Sequence, residues 1–287
     1  MFPKIIVLIL LIPTILSENI DLARVRVKDD VDYYSSIDTT LKDGDLKSAL
    51  QTLILNRTKV SYGNAWEAFE VIDLYLPVAP GEDDCPSGTI PDIYSTFCWT
   101  PEKGLETGGE CGNYKHEGDC YNREHSWPKS WWGGFSEGNG AESDLFELYP
   151  SDGYVNGLRG NLPFGSVESG TEKYTSSNGC KIGECSGDTG DYTGSCFEPA
   201  DYMKGDLSRT YFYLSTMYDG VWECCEEDAV NEARINTWEE NILREWHNLD
   251  PVDDMEMKRN NIIYEQYQHN RNPYIDHPEF VDSIAGF

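Results

Sequence analysis

Positive charge is scarce in this chain: 22 Lys and Arg stand against 51 Asp and Glu, a net charge of −29. Affinity for nucleic acid comes largely from Lys and Arg displacing the counterions around phosphates, so tight, purely electrostatic binding to DNA or RNA is excluded. Any such contact is expected to be weak and salt-sensitive. Long apolar runs are lacking too. The longest, Ile5 to Leu16, falls short of the roughly 20 residues needed to cross a bilayer, so stable membrane association is not expected. CxxC pairs are missing, which removes the usual signature of a closed zinc site. No internal repeat and no low-complexity tract is present, which argues against a solenoid or a disordered chain.

What is there fits one well-packed domain. The 287 residues are 39% hydrophobic and 13% aromatic, enough for one core and stretched for two. Lys4, the apolar run and the small Ser17 before Glu18 read as a secretory signal peptide, residues 1–17, leaving 18–287 as the secreted domain. Only Lys4 is lost with the leader, so the net charge becomes −30. Nine cysteines, all downstream, fit an oxidising compartment with four bridges and one thiol. Adjacent cysteines bond each other only with strain, so Cys224 and Cys225 are expected to reach elsewhere, or one of them to stay free. Asn56-Arg57-Thr58 is a sequon, which makes Asn56 a glycosylation candidate.

Periodicity predicts several helices. Leu46, Leu50 and Leu53 mark one, with Asp43 or Asp45 as cap; Trp66, Phe69 and Ile72 mark a second. Residues 77–118 read as a stapled surface loop with one short strand around 93–99, and 165–195 as a flexible rim. Leu207, Tyr211, Leu214 and Tyr218 repeat as a buried helix face, from whose other sides Lys204 and Arg209 project, more plausibly into ion pairs than onto phosphates. Ile235, Trp238, Ile242 and Trp246 give an amphipathic helix in the acidic stretch 223–256. Asp253 and Glu256 form a capping pair for a last helix that Pro273 stops.

Residues 120–165 carry the chemistry. Glu124 and His125 sit in an extended run, Tyr121 to Trp127, followed by Pro128 and Gly133-Gly134, which reads as strand, turn and return strand. Ser151-Asp152 then caps a short helix bearing Asn156, with Gly160 near its end. One carboxylate oxygen and one amide oxygen can hold a hard cation, leaving four octahedral positions for waters and a phosphate. His125, unligated and adjacent, can take a proton from an attacking water. His116, His247, His269 and His277 read as structural.

The runs YNREHSWPKSWWG, LYPSDGYVNGLRGNLPFG, FEPADYMKGDLSRTYFYLSTMY and DPVDDMEMKRNNIIYEQYQHNRNPYIDHPEF resemble successive signatures of the endonuclease I family, over roughly residues 46–280. The resemblance implies an α+β single domain built on a ββα-metal (His-Me finger) core surrounded by helices and disulfide-pinned loops. By it His125 is the general base, Glu124 and Asn156 hold Mg2+ or another hard divalent ion such as Ca2+ or Mn2+, and Arg159 is a candidate phosphate contact. Arg159 could equally bridge an acid such as Asp144. Arg123, on the strand face opposite Glu124, reads as structural, and Trp127, Trp131 and Trp132 read as core more than as base-stacking platforms. The expected substrate is DNA, with RNA beside it, cut with little sequence preference to leave 5′-phosphates; a monomer without a protein partner is expected.

One departure stands out. Family members often read DLHNLYP where this chain has Phe146-Glu147, so a His-Asn pair is replaced. With the acidic charge, this keeps open an impaired nuclease fold serving as an extracellular binding module. A calcium-dependent structural protein, with acidic loops such as 81–84 as ligands, is a weaker third reading, since no loop has EF-hand spacing.

Overall fold

The computed structural model describes residues 33–74, 85–101, 109–133, 140–187 and 192–287. The expected leader at 1–17 and the acidic loop at 81–84 lie outside them.

Helix α1, Asp43–Ile54, buries Leu46, Leu50 and Ile54 along one face. Its N-cap is Lys42; Asp43 and Asp45 occupy the first turn instead, where the unpaired N–H groups favour acids. A 3₁₀ turn at Tyr62–Asn64 runs into α2, Ala65–Ile72, which buries Phe69 and Ile72. Two short strands pair antiparallel where one was expected, β1 Ile90–Pro91 and β2 Cys98–Trp99.

Strand β3, Tyr121–His125, pairs antiparallel with β4, Leu148–Asp152, placing Glu124 opposite Tyr149 and His125 opposite Leu148. The return strand expected after Pro128 and Gly133-Gly134 begins only at Leu148. Residues 126–147 separate the strands; Lys129–Trp132 winds into a 3₁₀ turn that ends at Gly133 with φ 82°. Trp127, Trp131 and Trp132 are all buried, and a wider path lets their indoles reach the core. Asp152 ends β4 and caps α3, Gly153–Arg159, accepting from the amides of Tyr154 at 2.9 Å and Val155 at 3.0 Å. Gly160 closes the helix as expected.

The Gly, Ser and Thr-rich segment is more ordered than a loop rim: β5 Tyr174–Thr175, β6 Lys181–Glu184 and β7 Ser195–Glu198 form an antiparallel sheet in that order. Helix α4, Lys204–Met217, is buried on nearly every side and packs along α5, Thr237–Leu249. Arg209 is enclosed with Glu256, 2.6 Å from its Nε, and Lys204 pairs with Glu198 and Asp201. Asp253 caps α6, Asp254–Ile262, through the Glu256 amide at 2.8 Å. That helix continues as a π turn to Tyr267, the end expected from the sequence, and Pro273 does not stop it but opens α7, Pro273–Asp276. Its fixed φ and missing N–H suit a first helical position.

A single apolar cluster joins these elements, and with the small antiparallel sheets it makes an α+β domain. Cys85–Cys98, Cys111–Cys120 and Cys185–Cys196 staple loops and strand ends. Cys224 and Cys225 bond each other, against expectation, and Cys225 takes φ 83°, a left-handed conformation that lets neighbouring side chains converge. The free thiol is Cys180, buried, with its pKa pushed up to about 12 by that burial. Among the described residues no helix is long and apolar enough to cross a membrane.

Candidate active site

Alternation along β3 separates two chemistries. Glu124 turns inward and is buried, whereas Arg123 and His125 share the half-open face. Glu124 Oε1 accepts from Tyr94 Oη at 2.9 Å and from Arg159 Nη1 at 2.6 Å. Burial raises its carboxyl above the usual value, and Arg159 and Tyr94 offset only part of that rise. Another cation would be welcome there, and Oε2 makes no hydrogen bond among the described residues.

His125 Nε2 lies 3.1 Å from the carbonyl oxygen of Glu142. A carbonyl can only accept, so Nε2 carries the proton and Nδ1 the lone pair. The ring stacks on Tyr62, centroids 5.6 Å apart, with Trp132 at 6.2 Å. Their exclusion of water lowers the imidazole pKa to about 4, against which the Glu142 bond works only partly. At neutral pH His125 is an uncharged base.

Asn156 stands on the first turns of α3. Its Nδ2 donates to Ser151 Oγ at 3.2 Å, which fixes the amide and leaves Oδ1 unspent. Glu124, His125 and Asn156 line one pocket of about 260 Å3, together with Arg123, Lys129 and Asn161. Glu124 and Asn156 line the same pocket, and their carboxylate and amide oxygens are hard donors of the kind that hold a magnesium-like ion completed by water and phosphate. A larger cavity of about 520 Å3, between Asp92, Tyr149, Asp206 and Glu256, contains none of the three.

Arg159 is not at the pocket. Its five N–H groups go to Leu162 O, Glu124 Oε1, His125 O, Ser126 O and Tyr211 Oη, and the side chain is buried. No donor is left for a phosphate. The acid it bridges is Glu124 and not Asp144, which instead pairs with Arg57 at 3.4 Å and accepts from Tyr213 and Tyr218. Phe146 and Glu147 are both buried under the site, Phe146 against Tyr213 at 4.8 Å. Asn56 is exposed just beyond α1. The sequence reading missed Tyr62, Tyr94 and Glu142, which reach the site from distant loops with no motif of their own.

Residues 43–279 match the Endonuclease I family model. The chain belongs to the endonuclease I family. It is accordingly an endonuclease, a hydrolase acting on nucleic acid. Over 254 residues it is 35% identical to an extracellular ribonuclease of Bacillus subtilis (strain 168), covering 85% of this chain and 75% of that protein. It is 34% identical over 249 residues to an extracellular ribonuclease of Bacillus amyloliquefaciens, covering 83% and 73%. A shorter stretch of 134 residues is 30% identical to Endonuclease-1 of Buchnera aphidicola subsp. Baizongia pistaciae (strain Bp), covering 47% of this chain and 46% of that one. Membership in this endonuclease family accounts for the four sequence signatures.

Proposed function

We propose that this chain is a secreted, divalent-metal-dependent endonuclease that cuts DNA and RNA with little sequence preference and leaves 5′-phosphates. The observation that carries this reading is the common pocket: an uncharged His125 beside an unspent Glu124 oxygen and an unspent Asn156 oxygen. In the ββα-metal reading, Glu124 on the first strand and Asn156 on the following helix would hold Mg2+, Ca2+ or Mn2+. When bound, such an ion supplies positive charge to a non-bridging phosphate oxygen and to the departing 3′ oxygen.

The chain's own residues do the rest. His125 Nδ1 takes a proton from water as the water oxygen bonds to phosphorus; the bond from phosphorus to O3′ breaks and O3′ takes a proton from solvent water, giving a 3′-hydroxyl and a 5′-phosphate. Arg159 and Tyr94 hold Glu124 in place by one oxygen, and the Glu142 carbonyl holds the imidazole tautomer. The ribonuclease names of the Bacillus relatives support RNA as a substrate, and backbone contacts without base readout extend the proposal to DNA. Secretion is supported by the extracellular relatives and the disulfides, and the expected leader at 1–17 and glycosylation at Asn56 are part of the same reading.

The test is digestion of supercoiled plasmid and of a structureless RNA, with and without EDTA, by the wild type, His125→Ala and Glu124→Ala. Loss of cleavage of both substrates in EDTA and in both variants is expected. Undiminished cleavage by His125→Ala would sink the assignment.

A further inference from the structure

With Arg159 saturated, the substrate phosphate needs another cation. We propose that Arg123 is that cation, its guanidinium holding the non-bridging oxygens of the phosphodiester in the pocket. The assignment rests on the reading that Glu124, His125 and Asn156 perform the chemistry there.

Position comes first. Arg123 is two residues before His125 on β3, so the two side chains share one strand face, and both line the pocket. Tyr62 ties them together. Its ring stacks on the imidazole and lies 3.5 Å from the Arg123 guanidinium carbon, while Trp66 lies 4.6 Å from that carbon. Arg123 Nη1 also donates to the Tyr62 carbonyl at 2.6 Å. These contacts fix the guanidinium plane, yet a ring face and a carbonyl leave its full positive charge in place.

Charge decides the role. Among the described residues no carboxylate forms a salt bridge with Arg123, whereas Arg159, Arg209, Arg259 and Arg271 each have one. The other cation lining the pocket, Lys129, is paired with Glu142. A planar fork with unspent N–H groups beside a base and two oxygen ligands matches a phosphate's paired oxygens. In a chain of net charge −29, a single uncompensated guanidinium at the site has a large share of the attraction available there.

The experiment measures kcat and KM on a fluorescent oligonucleotide over a range of salt for the wild type, Arg123→Ala, Arg123→Lys and His125→Ala, with thermal melts in parallel. Arg123→Ala is expected to lower kcat/KM by about 10- to 100-fold and to reduce the slope of log KM against log salt by about one ion. Arg123→Lys should restore the salt slope but stay at least about tenfold below the wild type, because a point charge lacks the fork. Wild-type kcat/KM and salt slope in a folded Arg123→Ala, with His125→Ala inactive, would overturn the proposal and leave the site reading standing. An active His125→Ala would overturn the site reading itself. Should Arg123→Ala fail to fold, Arg123→Lys decides: wild-type kcat/KM overturns the fork, and a deficit at unchanged salt slope supports it.

Discussion

Arg159 Nη1 stands 2.6 Å from Glu124 Oε1, and both side chains are buried. Removing one member of such a pair leaves the other charge buried without compensation, a cost of about 3–5 kcal/mol. Arg159→Ala should therefore lose about that much stability in a denaturant titration and lose activity with it, because Glu124 is released. Arg159→Lys should recover little, since the four other acceptors around the guanidinium would compete for an ammonium with three donors. A neutral Arg159→Ala would mean that Glu124 is held by Tyr94 alone.

The pKa of His125, lowered to about 4 from an ordinary 6.5, predicts an unusual acid limb. Catalysis needs the neutral ring, and a lowered pKa keeps it neutral further into acid. Measured kcat/KM should stay level from pH 8 to about 5 and fall only towards pH 4; an unperturbed histidine would lose half its activity near 6.5. The same shift acts on the fold. As pH drops below about 6.5 the unfolded chain takes up this proton first, so stability declines through that window until the folded ring is itself protonated near 4. A limb centred at 6.5 would show that substrate or metal reopens the ring to water.

The places of Glu124, His125 and Asn156 on a strand and the helix that follows it were legible because local rules set them. Asp152 caps through its own neighbours, Gly160 stops the helix, and strand alternation sets Glu124 apart from His125. What surrounds them was not legible. Arg159 finds Glu124 across 35 positions, and Tyr94 and Glu142 arrive from segments whose composition says only loop. The return strand lies beyond three tryptophans whose burial widens the connection, which no turn rule anticipates. Strands of two to four residues at 174–198 are too short to show alternation, and their pairing is visible only once the partners meet. Cys224 bonds its neighbour, and Cys225 has a left-handed backbone, an exception to the general preference.

Metal binding has a readout apart from turnover. A ligand that binds the folded chain alone raises the melting temperature with its concentration. Mg2+ or Mn2+ should therefore raise Tm in the wild type and do so less in Asn156→Ala and Glu124→Ala. His125→Ala should keep the full shift, since the imidazole is not among the proposed ligands. An equal loss of the shift in all three variants would place His125 in the metal site and remove its role as base.

Glu147, half of the Phe146-Glu147 departure noted in the sequence, offers a further test. Its carboxylate is fully buried beside the Trp132 indole without closing a hydrogen bond, and Asp144 and Glu124 lie close by. Burial first, then Asp144 and Glu124, hold its pKa well above the usual value, with the Trp132 indole and then Arg57 opposing. A raised carboxyl pKa favours the fold while both states are protonated. Above roughly pH 4.3 the unfolded chain gives up its proton and the folded one does not, so this stability is lost progressively as pH rises. Glu147→Gln removes the titration and keeps the volume. It should flatten the decline in unfolding free energy between pH 5 and 8, raise stability at pH 8, and leave kcat near the wild-type value, because the side chain is sealed from the pocket. If Glu147→Gln instead abolished cleavage with the fold intact, the replaced family position would be part of the reaction and not of the core beneath it.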